Sequence, residues 1–226
     1  MGQYQNSFII FIRSLKGSLH VYQVRSFAEH NPNVLLNFIQ QHPLGTLITL
    51  FSGEPNADHL PFWVRPCTNS NPVLQAHIAK ANPLYQQLLQ HGEAEVLVIF
   101  QANSHYISPN WYPEKAIHHK VVPTWNYQAV HAKGKLRLMQ DQTQLFALLQ
   151  QLTDQEEAKL RQNNPWQVTD APQAYLTQML EHIIGIEIEI SELIGKFKMS
   201  QNKATDTQAA VQQGLRQQAQ LQHISN

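Results

Sequence analysis

The chain has 226 residues, of which 42% are hydrophobic and only 14% charged, and its 16 Lys and Arg balance its 16 Asp and Glu. A chain of this length buries a full core without metal or disulfide support, and its single cysteine excludes an internal disulfide framework and a Cys-based zinc site. The charge balance lacks the basic excess of DNA-binding proteins, so direct DNA binding is doubtful, and the lone thiol fits a cytoplasmic protein. No apolar run is long enough to span a membrane.

Residues 1–20 differ in character from the rest of the chain, because recognisable domain chemistry begins only near Val21. We expect this segment to be a non-native or disordered extension. One hypothesis is that translation starts at Val21, since a GTG start codon that is read as an internal codon appears as valine. N-terminal mass spectrometry of the native protein tests this, and an intact Met1 peptide would contradict it.

The sequence of the first half of the domain predicts a helix followed by short strands. NVLLNFIQQ has helical spacing and stops at Pro43, and Asn82 with Pro83 opens a second, short helix. Pro61 indicates that one of the strands is an edge strand or carries a bulge. The strands are predicted at 44–51, 57–65, 73–80 and 94–100.

The second half predicts a loop at 101–120, one or two strands, a helical insertion at about 141–183 and a long strand. Thr153 and Glu156 form a candidate capping box within the insertion. GIEIEISELIGKFKMS alternates apolar and polar residues, which predicts the long strand, and 203–226 form a Gln-rich tail that is helical or disordered. About six strands in an order that is not regular βαβ predict an α+β barrel.

The junction HIAKANP brings a strand that carries His77 and Lys80 to the N-terminus of the helix that Asn82 opens. Free backbone N–H groups and the positive end of the helix dipole favour an anion there, and an ammonium group adds a point charge. The pattern indicates a phosphate site, but it is also that of a capped surface helix with a solvated lysine. His59, in HLPF, can face the same opening or be a structural histidine.

Aromatic residues are concentrated in SHYISPNWYPEK and in HKVVPTWNYQAVH. Rigid aromatic segments often line pockets for planar ligands, but packing of a long loop onto a barrel explains the first of them equally well. The chain contains no GxSxG motif and no glycine-rich phosphate loop. The spacing of Glu114 and His118 is compatible with metal ligation, but without HExxH or a carboxylate-rich cluster we expect no metal site.

Several blocks of the sequence resemble a single family over residues 21–202. They are HPLGTLIT, HLPF, LQAHIAKANP, VLVIFQANSHYISPNWYPEK, VVPTWNYQAVHAKGKL, the PW and DAP pair, and GIEIEI with GKFKMSQN. Together they resemble the PaiB family, whose members are known as FMN-binding negative transcriptional regulators. The resemblance implies an α+β fold, namely an FMN-binding split β-barrel with flanking helices, related to pyridoxamine-phosphate oxidases and flavin reductases. It also implies a homodimer that holds FMN at its interface.

The resemblance further implies which residues contact FMN. LQAHIAKANP looks like the segment that contacts the phosphate, and HLPF lies on the strand that carries a phosphate-binding arginine in the oxidases, where this chain has none. The WNYQAVHAKG block looks like the strand that approaches the flavin, and GKFKMSQN would supply residues near the same site, across the dimer. The implied residues are His59, His77, Lys80, Thr124, Trp125, Asn126, Lys196, Lys198 and Gln201.

The function that the resemblance implies is repression of protease and sporulation genes, which is a phenotype and leaves the mechanism open. Because the chain has neither a basic excess nor a helix-turn-helix signature, we expect an indirect action or one through a partner. The alternative is a flavin-dependent oxidoreductase or detoxification enzyme related to pyridoxamine-phosphate oxidase, with a small-molecule substrate. A haem-binding relative of the same barrel is a third reading, supported only by the twelve histidines.

Overall fold

One antiparallel sheet organises residues 22–65 and 71–224, which are the residues described by this computed structural model. The predicted extension at 1–20 lies outside the described residues. The strands are β1 (Ala28–Glu29), β2 (Leu44–Phe51), β3 (Glu54–Pro61), β4 (Trp63–Arg65), β5 (Val73–Ala79), β6 (Glu93–Gln101), β7 (His105–Ile107), β8 (Thr124–Met139) and β9 (Ile183–Lys198). The helices are α1 (Pro32–Gln41), α2 (Pro83–His91), α3 (Lys115–His118), α4 (Gln142–Leu160), α5 (Gln173–Glu181) and α6 (Thr205–Ile224).

The strands follow the order β3-β2-β6-β8-β9-β5-β4, with β1 added beside β9 and β7 beside β8. The longest ladder joins β8 and β9, each of 16 residues. As the sequence indicated, the strands do not follow a regular βαβ order. The sheet has more strands than expected within the described ranges, because β1, β4 and β7 are pieces of only two or three residues.

Alternation along the strands sorts the side chains onto two faces of the sheet. In β6, Val98 and Phe100 are fully buried in the core, whereas Leu97 and Ile99 point the other way and are half-buried. Apolar residues of α1 and α2, such as Leu35, pack against the inner face and complete this core. Within the described ranges, no helix of that core packs on the opposite, outer face of β2, β6 and β8.

A β-bulge divides the long β8–β9 ladder. Lys133 pairs with Glu192 and Gly134 with Ile190, so Ser191 is the extra residue, and its hydroxyl donates to the carbonyl oxygen of Lys133 over 3.2 Å. An extra residue reverses which face the following side chains occupy, because the side-chain period of a strand is two. The half of β9 beyond the bulge therefore turns Lys196 toward the outer face, although it continues one uninterrupted strand.

Two expectations about local structure are wrong. The strand predicted at 57–65 is divided into β3 and β4, because Phe62 is drawn into the core at the break. The capping box at Thr153 and Glu156 is absent, because α4 runs continuously through both residues and begins instead at Asp141, whose carboxylate accepts from the N–H of Thr143 over 2.8 Å.

The remaining helices cover the ends of the sheet. Leu145, Leu148 and Leu152 of α4 pack on Met139 at the end of β8. α6 packs through Val211 on the aromatic segment between β7 and β8. Across the described ranges, no helix combines the length and the apolar character that a membrane span requires.

Candidate functional site

The outer face of β6, β8 and β9 carries a groove of about 550 Å³. Apolar and aromatic side chains dominate its lining, with a few polar groups among them. This composition and size are typical of sites for small organic ligands. The lining residues are Ile99, Gln101, Ser104, Trp125, Tyr127, Ala129, His131 and Lys196.

The sequence WNYQAVH in β8 provides one wall of the groove. Its alternate residues share a face, so Trp125, Tyr127 and His131 all point into the groove. The residues between them point inward, and Asn126 and Val130 are fully buried. Only every second residue of this segment therefore faces the groove.

Trp125 forms the exposed end of the wall. It pairs with Tyr106 of β7, and the two rings meet edge to face with their centroids 5.7 Å apart. The indole is 54% exposed. A large aromatic surface is thus held in place by a neighbouring ring and remains available to a planar partner.

Lys196 is the cation of the groove. It lies opposite Ala129, and its ammonium donates to the carbonyl oxygen of Tyr22 over 2.7 Å. The same ammonium lies 5.7 Å from the ring of Tyr22 and 5.8 Å from the ring of Tyr127. Because an ammonium has three N–H donors, Lys196 keeps donors for an anionic ligand.

His131 lies at the floor of the groove, half-buried between the strands. Burial lowers the pKa of its imidazole below the usual value for histidine, and the charges of Lys133 and Lys196 lower it further. The side chain is therefore neutral at pH 7 and has one donor and one acceptor nitrogen. His131 was not among the residues that the resemblance implied, and the alternation of WNYQAVH is the signal that could have placed it.

His59 shares the outer face with the groove but lies outside it. Thr46 pairs with both His59 and Ile99, and Ile99 pairs with His131. These residues form a row across four strands, so His59 is three strand spacings, or roughly 14 Å, from His131. His59 is exposed.

Three further residues that the family resemblance implied lie next to the groove without lining it. Thr124 accepts a short hydrogen bond from the ammonium of Lys198. Gln201 donates through its amide to the carbonyl oxygen of Ser26 over 3.0 Å, and so holds the N-terminal segment against the end of β9. These hydrogen bonds tie the start of β8 and the N-terminal segment to the end of β9.

Asn126 faces the core. Its side-chain oxygen accepts from the hydroxyl of Ser200 over 2.9 Å, and its buried side-chain nitrogen has no partner among the described residues. Trp125 and Asn126 were expected to approach the flavin together. The strand turns them to opposite faces, so this chain does not bring both to one groove.

His77 and Lys80 lie at the other end of the sheet. His77 pairs with Gly185, which is roughly 36 Å from Lys196 along β9 at 3.3 Å per residue. Burial lowers the pKa of His77, whose Nδ1 atom is buried without a partner in the described structure. A single chain therefore does not bring these two residues to the groove.

The N-terminus of α2 does not have the character expected of an anion site. The side chain of Asn82 accepts from the N–H of Leu84 over 2.9 Å, and its amide donates to the carboxylate of Asp58 over 2.8 Å. A bound carboxylate and an occupied cap disfavour a second anion. Lys80 instead lines a separate cavity of about 220 Å³. Of the two readings of HIAKANP, this geometry fits the capped helix.

In the part of the chain that the structure covers, no three side chains of His, Cys, Asp or Glu lie close enough together to hold a metal ion.

The curled antiparallel sheet with flanking helices defines the class of the protein, which is the flavin-binding split β-barrel. A conserved hypothetical protein of Mycobacterium tuberculosis matches with a TM-score of 0.56 at 10% identity, over 81% of this chain and 94% of that chain. The FAD and heme binding protein of Mycobacterium smegmatis matches with a TM-score of 0.53 at 16% identity, over 81% of this chain and 78% of that one. At such identities the likeness shows the fold.

The family follows from the sequence. Residues 21–192 match the family described as "Putative FMN-binding domain", so the chain belongs to this family, and FMN is the cofactor of the family. The Bacillus subtilis protein named protease synthase and sporulation protein PAI 2 is 30% identical, over 85% of this chain and 88% of that protein. An uncharacterized protein of Emericella nidulans is 38% identical, over 77% of this chain and 82% of its own length. The PaiB resemblance is confirmed.

Proposed function

We propose that the protein binds FMN in the outer-face groove. The observation that carries this proposal is the convergence of Trp125, Tyr127, His131 and Lys196 on one face of β8 and β9 in a chain of an FMN-binding family. The aromatic wall and the apolar residues Ile99 and Ala129 fit a planar ring system. The unused donors of Lys196 fit a phosphate or another anionic group.

The residues of the chain would bind and orient the flavin. Bound FMN would supply redox chemistry, for which the protein provides position and electrostatics. Trp125 and Tyr127 would hold the ring system, and Lys196 would anchor the negative charge. His131, which is neutral before the ligand enters, would contact the ligand through a ring nitrogen.

We propose further that any regulatory role is indirect, exerted through the flavin or through a protein partner. The regulator reading rests on the name of the Bacillus subtilis relative. Basic residues on the outer face pair with carboxylates, as in Lys133 with Glu192 at 2.9 Å and Arg137 with Glu187 at 2.7 Å. Such pairing offers little free positive charge to DNA phosphates.

The alternative is a flavin-dependent oxidoreductase or detoxification enzyme. The specific observation that favours it is the neutral imidazole of His131 in the groove, since a neutral histidine can accept a proton as a general base near pH 7. Reduction of added FMN by a nicotinamide nucleotide would support the enzyme. A salt-dependent shift of promoter DNA would support a direct regulator instead.

We also propose that the protein forms a homodimer. The outer face of β2 exposes Leu44 and Leu50, at 65% and 62%, and exposed apolar surface often marks an interface. A second copy on this face would cover the open side of the groove. It would also be the means by which His77 and Lys80 could reach the groove of a partner.

Titration of the purified protein with FMN, followed by flavin fluorescence, tests the site. Trp125→Ala is expected to weaken FMN binding about tenfold, which corresponds to loss of an aromatic contact. Trp166→Ala is the matched control, because Trp166 is similarly exposed but lies between α4 and α5. Equal effects of the two substitutions would contradict the groove as the flavin site.

A second titration compares two lysines. Lys196→Met is expected to weaken FMN more than riboflavin, because riboflavin lacks the phosphate. Lys80→Ala is expected to leave the ratio of the two affinities unchanged in a monomer. A change of that ratio for Lys80→Ala in a dimer would support its contribution to the partner's groove. An unchanged ratio for Lys196→Met would remove Lys196 from the phosphate site.

A further inference from the structure

His131 stands in an unusual charge environment on the outer face of the sheet. Along β8 its neighbour on the same face is Lys133, and diagonally across the ladder lies Lys196, at a distance of roughly 7–8 Å between Cα atoms. The carboxylate near it, on Glu192, is paired with Lys133 at 2.9 Å. Two cations thus surround the imidazole, and the nearby anion is already engaged.

Among the described residues, no further charge faces His131 from the elements packed around it. From β6 it faces Ile99, and Gln101 is one pair further along. From β2 the same row contributes Thr46. From β9 it faces Ile194, and the N-terminal segment contributes the carbonyl oxygen of Tyr22 to Lys196.

We propose that His131 takes up a proton when an anionic ligand enters the groove, and that this makes the groove selective for planar ligands that carry negative charge. The inference rests on the proposed function and deepens it. An anion beside Lys196 would offset the two ammonium charges that oppose protonation of the imidazole. The proton would come from solvent, and the imidazolium would gain a second donor for the ligand.

The coupling between proton uptake and ligand binding determines how the affinity changes with pH. Burial and the lysine charges lower the pKa of His131 in the free protein, and a bound anion raises it again. Binding therefore takes up protons, so affinity rises as the pH falls through the pKa of the bound state and levels off below that of the free state. Each pKa unit by which the ligand shifts the imidazole is worth about tenfold in affinity.

The experiment measures FMN binding by calorimetry in two buffers of different ionisation enthalpy, between about pH 5 and 8. The wild-type protein is expected to take up as much as about one proton for each FMN bound. The His131→Gln variant is expected to take up distinctly less. The phosphate of FMN titrates near pH 6, as phosphate monoesters do, so the difference between the two proteins carries the result. His59→Gln is the matched control, because His59 lies on the same row and face but outside the groove.

Riboflavin identifies the group responsible. If the phosphate drives proton uptake, riboflavin binds to wild type and to His131→Gln with the same pH profile. Equal proton uptake by wild type and His131→Gln with FMN would overturn the inference while leaving the groove as the flavin site. Failure of both flavins to bind the wild-type protein would overturn the proposed function, and this inference with it.

Discussion

Asn126 and Trp125 are adjacent in sequence, yet they belong to different parts of the molecule. The pleat of β8 sends the indole to the groove and the amide to a hydrogen bond with Ser200 in the interior. A residue's neighbours in sequence therefore say little about its role in this strand. The role of Gly134 is likewise set by the neighbouring strand, because a Cβ at this position would lie 2.2 Å from the carbonyl oxygen of Glu189.

Gly134→Ala is expected to destabilise the protein by about 1–3 kcal/mol, because the added methyl group meets backbone atoms that cannot turn aside. Urea unfolding measures the change. Lys135→Ala is the control on the same strand. It removes an exposed ion pair with Glu93 and is expected to change the stability little. A wild-type stability for Gly134→Ala would mean that β8 and β9 separate more easily here than their packing indicates.

At the scale of elements, α6 and the aromatic segment between β7 and β8 stabilise each other. Thr207 donates to the carboxylate of Glu114 over 2.6 Å, which lowers the pKa of Glu114. Lys203 lies 5.2 Å from the ring of Tyr112. Gly214 permits the closest approach, because a Cβ there would lie 2.3 Å from the indole of Trp111. The helix thereby braces the segment that leads to β8 and its groove wall.

The Gly214→Ala substitution distinguishes the contribution of packing to stability from that of helix propensity. Propensity alone would stabilise the helix by about 1 kcal/mol, whereas the clash with Trp111 opposes it. We expect net destabilisation, with faster hydrogen exchange at residues 107–121. Gln213→Ala, at the exposed neighbouring position, is expected to change neither. A more stable Gly214→Ala protein would show that α6 packs loosely on the aromatic segment.

Local signals predicted much of this element structure. Pro43, Asn82 and Pro83 mark the helix ends where the structure has them, and alternation predicts the long strands at their observed positions. The outward position of Lys196 could not be predicted from alternation, because it depends on a bulge that only the pairing with Lys133 reveals. The separation of Lys80 from the groove depends on strand order, which has no local signal in the sequence.

For the whole molecule, the unpartnered outer face is the feature with the largest consequence. Leu44 and Leu50 are exposed on the outer face of β2, the strand beside β6, and the proposed second copy would bury them. Leu50→Lys is expected to shift the protein from dimer to monomer in light scattering after size-exclusion chromatography, because an interface does not tolerate a buried unpaired charge. Met179→Lys, at a partly exposed apolar site on α5, is the control. A monomeric wild-type protein would contradict the proposed dimer.

The bulge at Ser191 gives one residue control over the character of an entire surface. Pairing Ser191 regularly with Lys133 would remove the bulge and shift the rest of β9 by one residue, so Lys196 and Lys198 would turn inward and Leu193 and Phe197 would turn to solvent. No residue type would change, yet the groove would lose its cation and the core would gain two. Deleting Ser191 would instead leave Lys196 on the outer face, because Ile190 and Glu192 already face opposite sides and the residues after them would keep their partners on β8. For this fold a register slip of one residue is thus a more drastic change than any substitution in the groove. In related chains, the presence of this bulge is as informative about ligand binding as the residues that the strand carries.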